Sequence, residues 1–266
     1  MKADFHMHTE FSYDSQAPVE AMIQEAIGKG LQTICITDHH DLDFVEPAET
    51  DFDSYFPTLH MLQEKYRSQI EILIGLEFGM QPHLGQVCTE LAGTYPYDFI
   101  IGSVHTVDGY DPYYPDYFNQ ISDEDGYRRT FELTLENLKV TPALDVLGHL
   151  DYITRYGKGR DAAYSYQRYA DYIDEILKYL ISHGKGLELN TGGWKYGLPY
   201  AHPHQEVLKR YKELGGEILT IGSDAHKPEH VAYDFHRVQE YLEACGFKYY
   251  TEFRQRKPYF CAISSK

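Results

Sequence analysis

The sequence has few positive charges. Its 24 lysine and arginine residues stand against 41 aspartate and glutamate residues, so the formal net charge is −17 with histidine neutral. Proteins that bind long nucleic acids usually meet the phosphate backbone with clustered lysine and arginine. We therefore expect no long nucleic acid as a partner, and we expect most of the carboxylates to lie on the solvated surface.

Cysteine is also scarce, and long apolar runs are absent. The four cysteines lie far apart, at Cys35, Cys88, Cys245 and Cys261, and none of them forms a Cys-x-x-Cys pair. Such spacing gives no disulfide framework and fits a reducing compartment. The sequence has no run of about 18 apolar residues and no signal-like start. We therefore predict a cytoplasmic protein without a membrane partner.

Short apolar runs rich in β-branched residues alternate with longer amphipathic stretches. The predicted strands cover residues 3–8, 33–37, 71–78, 99–104, 145–148, 186–190 and 217–222, and further extended segments cover 248–253 and 259–263. One predicted helix begins near Pro18 and another at Ser122, and the rest cover about 53–68, 86–92, 162–182, 204–214 and 230–245.

This alternation predicts an α/β protein with a parallel sheet, because parallel neighbours need a crossover that a helix supplies. Both an open doubly wound sheet and a closed barrel satisfy it. No Gly-x-Gly-x-x-Gly motif or P-loop follows the first run, which disfavours the open nucleotide-binding sheet. The sequence also contains no linker or low-complexity segment. We therefore predict one domain over residues 1–266.

Residue types that bind metal cluster where the predicted strands end. Six of the seven runs end in such a residue: His6-Met7-His8, Asp38-His39-His40, Glu77, His105, His149 and Asp224-Ala225-His226. The sixth run ends differently, in Glu188-Leu189-Asn190-Thr191. In a parallel barrel the carboxyl ends of the strands form one rim, where active sites of barrels lie. The coincidence predicts a functional site at this rim.

The candidate donors are too many for one metal ion. They are His6, His8, Asp14, His39, Glu77, His105, His149, Asp224 and His226. One ion takes three or four protein ligands and leaves a position open. Imidazole and carboxylate without thiolate suit zinc, manganese or iron. We therefore predict two or three divalent metal ions, with Glu77 bridging a pair.

The motifs resemble, in order, those of the PHP (polymerase and histidinol phosphatase) superfamily. They are His6-Met7-His8-Thr9, Thr37-Asp38-His39, Gly75-Leu76-Glu77, Gly102-Ser103-Val104-His105, Gly148-His149 and Ser223-Asp224-Ala225-His226. The resemblance implies a distorted seven-stranded TIM-like barrel. It also implies three ion sites: His6, His8, Glu77 and Asp224; Glu77, His105 and His149; and Asp14, His39 and His226.

Asp14 and the segment Leu187-Glu188-Leu189-Asn190-Thr191 look like the histidinol-phosphatase branch. That branch implies hydrolysis of L-histidinol phosphate, a small-molecule phosphate monoester, in histidine biosynthesis. We expect attack by a hydroxide that bridges two ions. Asp224 and His226 are expected to orient this nucleophile and to lie nearest the leaving oxygen. The alternatives are hydrolysis of nucleoside monophosphates or short oligonucleotides, and a non-enzymatic domain that stabilises a larger assembly.

The phosphate dianion also needs cationic side chains. Loops at the predicted rim offer Arg155, Arg160, Lys195 and Lys227. Arginine can bind phosphate with two parallel hydrogen bonds. We predict Arg160 as the first choice, because it lies in a glycine-rich loop after the fifth run. His202 is a further candidate for contact with the substrate.

Overall fold

The computed structural model describes residues 1–44 and 49–263. The strands in this part of the chain are β1 (Ala3–Asp4), β2 (Thr33–Ile36), β3 (His39–His40), β4 (Glu71–Gly79), β5 (Phe99–Ser103), β6 (Val146–Leu147), β7 (Gly186–Asn190), β8 (Leu219–Gly222), β9 (Tyr249–Arg254) and β10 (Lys257–Ala262). The first eight are almost wholly buried, apart from the exposed Glu71 at the start of β4, as expected for parallel strands covered on both faces.

Helices alternate with these strands. They are α1 (Val19–Gly28), α2 (Phe52–Tyr66), α3 (Gly85–Thr94), α4 (Pro115–Gln120), α5 (Asp123–Val140), α6 (Ala170–Ser182), α7 (Gly192–Lys195), α8 (Gln205–Glu213) and α9 (Phe235–Ala244). The Ser122 side chain caps α5 by accepting a hydrogen bond from the backbone of Asp125, as its sequence position predicts. Within the described ranges, no helix combines the length and apolarity that a membrane span requires.

The parallel strands close into a barrel. Over residues 1–44 and 49–263, seven strands run in the order β1-β2-β4-β5-β6-β7-β8. Backbone hydrogen bonds then join the two ends of this order: Phe5 N donates to Ile221 O and His8 N donates to Ala225 O, each at 2.8 Å. The predicted seven-stranded barrel is therefore confirmed, and the open sheet is excluded.

Three local differences from the sequence prediction have physical causes. The predicted second strand ends at Ile36, and the chain pairs again with β4 as β3, which places His39 opposite Glu77. Helix α6 begins at Ala170 instead of 162, because 3-10 turns occupy the preceding residues. Helix α9 begins at Phe235 instead of 230, since Asp234 adopts a left-handed backbone with φ 53°.

A hairpin covers the amino ends of the barrel strands. It consists of β9 and β10, the two segments predicted as extended, which pair antiparallel. The Phe253 ring packs against the Phe99 ring with centroids 5.1 Å apart, and Leu219 N donates a hydrogen bond to Thr251 Oγ1. The carboxyl ends of the strands at the opposite face therefore remain available for a site.

Candidate metal centre

The carboxyl ends of the strands bring all nine predicted donors into one cluster. Glu77 lies in β4 and His39 in β3, and the other donors lie in segments that follow β1, β5, β6 and β8. Each of the nine has a side-chain nitrogen or oxygen within 4 Å of another member. Residues as distant in sequence as His6 and His226 are therefore neighbours here.

Glu77 lies at the centre of the cluster, and its two oxygens face different imidazoles. Oε2 lies 3.1 Å from His6 Nε2, 3.4 Å from His8 Nε2 and 3.1 Å from His39 Nδ1. Oε1 lies 3.3 Å from His105 Nε2 and 3.0 Å from His149 Nε2. A carboxylate with donors on both sides suits a bridging role between two ions.

Asp14 and Asp224 complete the outer side of the cluster. Asp14 Oδ2 lies 3.1 Å from His226 Nε2 and 3.7 Å from His39 Nε2. Asp224 Oδ1 lies 3.6 Å from His8 Nε2 and 3.5 Å from His226 Nδ1. Asp224 thus links the imidazoles near Glu77 with those near Asp14.

The geometry groups the donors partly as the resemblance implied. The compact sets of three are His6, His8 and Glu77; His39, Glu77 and His105; and His8, His39 and His226. The first set matches the implied one apart from the more distant Asp224. In the other two sets the grouping shifts, because His39 lies between Glu77 and Asp14 and can serve either side.

The donor atoms of this cluster are arranged in a way that suits metal ions better than hydrogen bonds among the side chains. His39 Nδ1 is buried and makes no hydrogen bond to any residue in the described ranges, although Glu77 Oε2 is 3.1 Å away. The His6 and His8 Nε2 atoms lie 3.0 Å apart, and both approach the same Glu77 oxygen. A bound cation would accept lone pairs from these imidazoles and from the carboxylate. Imidazole and carboxylate donors suit zinc, manganese and iron.

Burial and neighbouring charges shift the pKa values of the clustered groups in opposite directions. Burial alone would raise the pKa of Glu77, but His6, His105 and His39 hold it well below its usual range. Burial alone would lower the pKa of His6, but Glu188 and Glu77 raise it well above its usual range. Burial, His39 and His226 hold the pKa of His8 well below its usual range. Metal binding would therefore displace protons that the histidines share with the carboxylates.

Outer hydrogen bonds orient the imidazoles. His6 Nδ1 lies 2.6 Å from Glu188 Oε1, and His105 Nδ1 lies 2.7 Å from Asp41 Oδ2. His8 Nδ1 lies 3.1 Å from Ser12 Oγ. Such partners fix which ring nitrogen faces an ion.

The sequence prediction missed Glu188, Asp41 and Ser12. For Glu188 a signal existed, since Glu188 and Asn190 alternate along β7 and so share one of its faces. Asp41 directly follows the Asp38-His39-His40 motif. We find no comparable signal for Ser12.

The backbone of Asp224 adopts a left-handed conformation with φ 55°. Such a conformation is costly for a residue other than glycine and persists only where surrounding contacts hold it. Asp224 N donates to His6 O at 2.8 Å, and the preceding Ser223 is held by Asp4 through its backbone N and its hydroxyl. These bonds fix the direction in which the Asp224 side chain leaves the chain.

Two of the five predicted substrate-binding residues contact Asp224, and a third contacts one of these two. Arg155 Nη2 lies 3.3 Å from Asp224 Oδ2, and Lys195 Nζ donates a hydrogen bond to Asp224 O. Arg155 Nε donates to His202 Nε2 at 2.9 Å, and its guanidinium lies 4.4 Å from the centre of the Tyr196 ring.

His202 is a fully buried imidazole that accepts a hydrogen bond from a cation. Burial lowers its pKa to about 4, with a further contribution from Arg155. Its Nδ1 lies 2.6 Å from Asp151 Oδ1. The neutral ring therefore donates from Nδ1 to Asp151 and accepts at Nε2 from Arg155, and Asp151 was not predicted to take part.

Arg160, the first choice of the sequence prediction, lies farther out. Its Nη2 donates to the backbone O of Tyr196 at 2.7 Å, and its own backbone O accepts from the Tyr127 hydroxyl. Tyr196 thus separates Arg160 from Arg155. Lys227 is exposed to solvent.

Comparison with known proteins gives consistent relatives. The PHP domain profile matches residues 4–192. A histidinol-phosphatase of Lactococcus lactis subsp. lactis is 30% identical over 249 residues, which cover 92% of each chain. A Clostridium acetobutylicum protein named "Probable histidinol-phosphatase" is 33% identical over 250 residues, or 93% of this chain and 95% of that one.

Solved structures agree with these relatives. The crystal structure of histidinol phosphate phosphatase from Lactococcus lactis subsp. lactis, complexed with zinc, L-histidinol and phosphate, superposes with a TM-score of 0.89 at 29% identity. The match covers 97% of this chain and 98% of that one. A Listeria monocytogenes chain shares the fold with a TM-score of 0.70 at 20% identity, over 88% and 99% of the two chains.

Proposed function

This chain belongs to the PHP domain family, and from that premise we propose that it is a metal-dependent phosphomonoesterase. Its substrate is L-histidinol phosphate, which it hydrolyses to L-histidinol and phosphate in histidine biosynthesis. The observation that carries this proposal is the match, over nearly the full length of both chains, to an enzyme holding zinc, L-histidinol and phosphate. The nine clustered donors support it independently.

We assign the nine donors to two or three divalent ions. His6, His8 and Asp224 would hold one ion together with Glu77, and His105 and His149 would hold another, also with Glu77. Asp14, His39 and His226 would hold the outer ion. When bound, the ions would make a water acidic and neutralise the phosphoryl oxygens.

We assign the phosphate oxygens to Arg155 and Lys195. Both cations are positioned next to Asp224 by contacts within the protein, so little side-chain freedom is lost when a phosphate arrives. The Arg155 guanidinium also packs over the Tyr196 ring, and its Nε donates a hydrogen bond to His202. Arg160 remains a prediction for the outer part of the pocket.

Asp224 and His226 are the groups we assign to proton handling. They lie 3.5 Å apart, and His226 is more exposed than the imidazoles around Glu77. This exposure supports the assignment of His226 to the leaving oxygen. We further propose a cytoplasmic location, which the four free thiols support.

The test is phosphate release by the purified protein after chelation and reconstitution with metal. L-histidinol phosphate is compared with nucleoside monophosphates and a short oligonucleotide. We expect kcat/KM for L-histidinol phosphate to exceed the others by about 100-fold, since sites built for polar groups reject analogues that lack them. A preference for nucleotides would mean that a nucleotide, and not L-histidinol phosphate, is the substrate. If the metal-loaded protein hydrolyses none of these compounds, a structural role is favoured.

A further inference from the structure

A line of tyrosine rings leads from the metal donors to solvent. The Tyr152 ring centre lies 5.0 Å from that of His149 and 6.2 Å from that of His105. Tyr156 packs edge-on against Tyr152 at 5.7 Å, and Tyr113 packs edge-on against Tyr156 at 6.0 Å. Tyr113 is 66% exposed, so the line ends at the surface. One wall of the approach to the metal centre is therefore aromatic.

Asp111 lies at the outer end of this wall. Its Oδ1 accepts a hydrogen bond from the backbone N of Tyr113 at 2.8 Å. No lysine or arginine in residues 1–44 and 49–263 forms an ion pair with it. Asp108, three residues earlier in the same loop, differs because Arg129 binds both of its oxygens at 2.8 Å. Within the described residues, the charge of Asp111 is thus left without a lysine or arginine partner.

The surroundings of Asp111 are also electrostatically unfavourable for a lone carboxylate. Partial burial raises its pKa, the backbone hydrogen bond from Tyr113 and the charge of His105 oppose this increase, and the carboxylates of Asp41 and Asp14 add smaller increases. The same carboxylate contributes to the raised pKa of the Tyr152 and Tyr156 hydroxyls, for which burial is the main cause. Asp111 therefore lies close enough to the aromatic wall to influence two of its hydroxyls.

We propose that Asp111, with the rings of Tyr113 and Tyr156, forms a subsite for the cationic end of the substrate. This inference rests on the proposed function. L-histidinol phosphate carries a dianion at one end and a primary ammonium group and an imidazole at the other. The phosphate goes to the metal centre, the ammonium group pairs with the Asp111 carboxylate, and the imidazole packs against the tyrosines.

The subsite also accounts for selection against other phosphate esters. A leaving group with a second anion, as in a nucleoside diphosphate or an oligonucleotide, would bring like charge close to Asp111. A neutral leaving group would leave the carboxylate partly buried without a partner. A leaving group with a positive charge in this region avoids both the like-charge repulsion and the unpaired carboxylate.

The test compares two substrates in the metal-loaded protein. One is L-histidinol phosphate, and the other is the deamino analogue 3-(imidazol-4-yl)propyl phosphate, which lacks only the ammonium group. We expect the wild type to prefer the amine by about tenfold or more in kcat/KM, as loss of a charged hydrogen bond predicts. The Asp111→Asn variant should lose this preference, through a higher KM for L-histidinol phosphate and little change for the analogue.

Asp116→Asn is the matched control. Asp116 is exposed in the first turn of α4, in the same loop region, so its removal changes the net charge equally. We expect it to keep the preference for the amine. The subsite is refuted if Asp111→Asn keeps that preference, if both variants lose it equally, or if the wild type hydrolyses both substrates equally well. Hydrolysis of neither substrate by the wild type would instead refute the proposed function.

Discussion

The two ends of the barrel both carry buried or partly buried carboxylates, and they differ in what neutralises them. At the amino ends of the strands, Arg254 donates to Glu71, and Arg256 donates to Asp145 and to the backbone O of Ala143. The backbone of the hairpin turn adds hydrogen bonds to Asp98. At this end, the β9–β10 hairpin supplies the positive charge.

At the carboxyl ends, the chain itself supplies less positive charge. Glu77 is surrounded by imidazoles, and Asp14 faces His39 and His226. Asp224 alone among these carboxylates also contacts permanently charged groups, through Arg155 and Lys195. A closed ion-pair network stabilises the fold, whereas an open set of donors binds a cation. The contrast indicates that the amino ends of the strands stabilise the fold and that the carboxyl ends bind the metal.

The largest expected effect tests this contrast at Glu77. The Glu77→Gln variant should lose at least one ion per chain and about 1,000-fold or more in kcat, because it removes the carboxylate between two groups of imidazoles. Metal analysis and hydrolysis of L-histidinol phosphate measure both effects. Glu71→Gln at the opposite end is the control, and it should keep kcat within about twofold while losing about 1 kcal/mol of stability. Equal kcat values for the two variants would contradict the proposed difference in function between the two ends of the barrel.

The next effect concerns the outer support of the metal donors. Glu188 binds His6 Nδ1 and accepts from His149 N, so Glu188→Gln should weaken metal affinity by about 10- to 100-fold. Competition with a chelator measures this affinity. Glu252→Gln in the hairpin replaces another buried glutamate and should leave the affinity unchanged. Wild-type affinity in Glu188→Gln would mean that Glu188 does not orient these donors.

The hairpin gives the opposite pattern. Arg256→Met should lower the free energy of unfolding by about 2 kcal/mol, because it leaves the buried Asp145 carboxylate without its cation. Metal content and kcat should not change. Burial raises the pKa of Asp145, so its protonation favours the folded state. The stability deficit should therefore shrink as the pH falls toward the ordinary pKa of aspartate and grow as the pH rises. Denaturant unfolding at several pH values measures the deficit, and a loss of metal would contradict the separation of the two ends.

The smallest effect concerns the contact between His202 and Arg155. His202→Asn keeps an amide near Nδ1 for Asp151 but loses the acceptor for Arg155, whereas His202→Gln keeps an acceptor near Nε2. If His202 positions Arg155, the Asn variant should raise KM and weaken inhibition by inorganic phosphate by about tenfold, and the Gln variant should do so less. If His202 only supports the fold through Asp151, the Asn variant should behave more like the wild type.

Much of the fold and the inner cluster could be predicted because both follow from regular chain geometry. Strand–helix alternation predicts the parallel sheet, and residues at strand ends meet at one rim. That reasoning placed His6, Glu77 and Asp224 together although they are far apart in sequence. The roles of these residues, and the extent of the domain, stay predictions.

The outer residues could not be predicted in the same way. Asp41 binds His105 and the backbone N of Gly79. Ser12 binds His8, Asp38 and the backbone N of His39. No periodic pattern in the sequence marks such contacts. Arg160 was preferred for its glycine-rich loop, yet Arg155 contacts Asp224 whereas Arg160 donates to the backbone O of Tyr196. Arg155 ends one 3-10 turn and Arg160 begins another, and hydrophobic periodicity does not predict such turns.

The most direct test is crystallographic location of metal in active protein. Anomalous diffraction from crystals of protein that hydrolyses L-histidinol phosphate should show two or three ions, with Glu77 between two of them and no ion beside the β9–β10 hairpin. Ions located away from Glu77, or one ion only in fully active protein, would contradict the assignment of the nine donors.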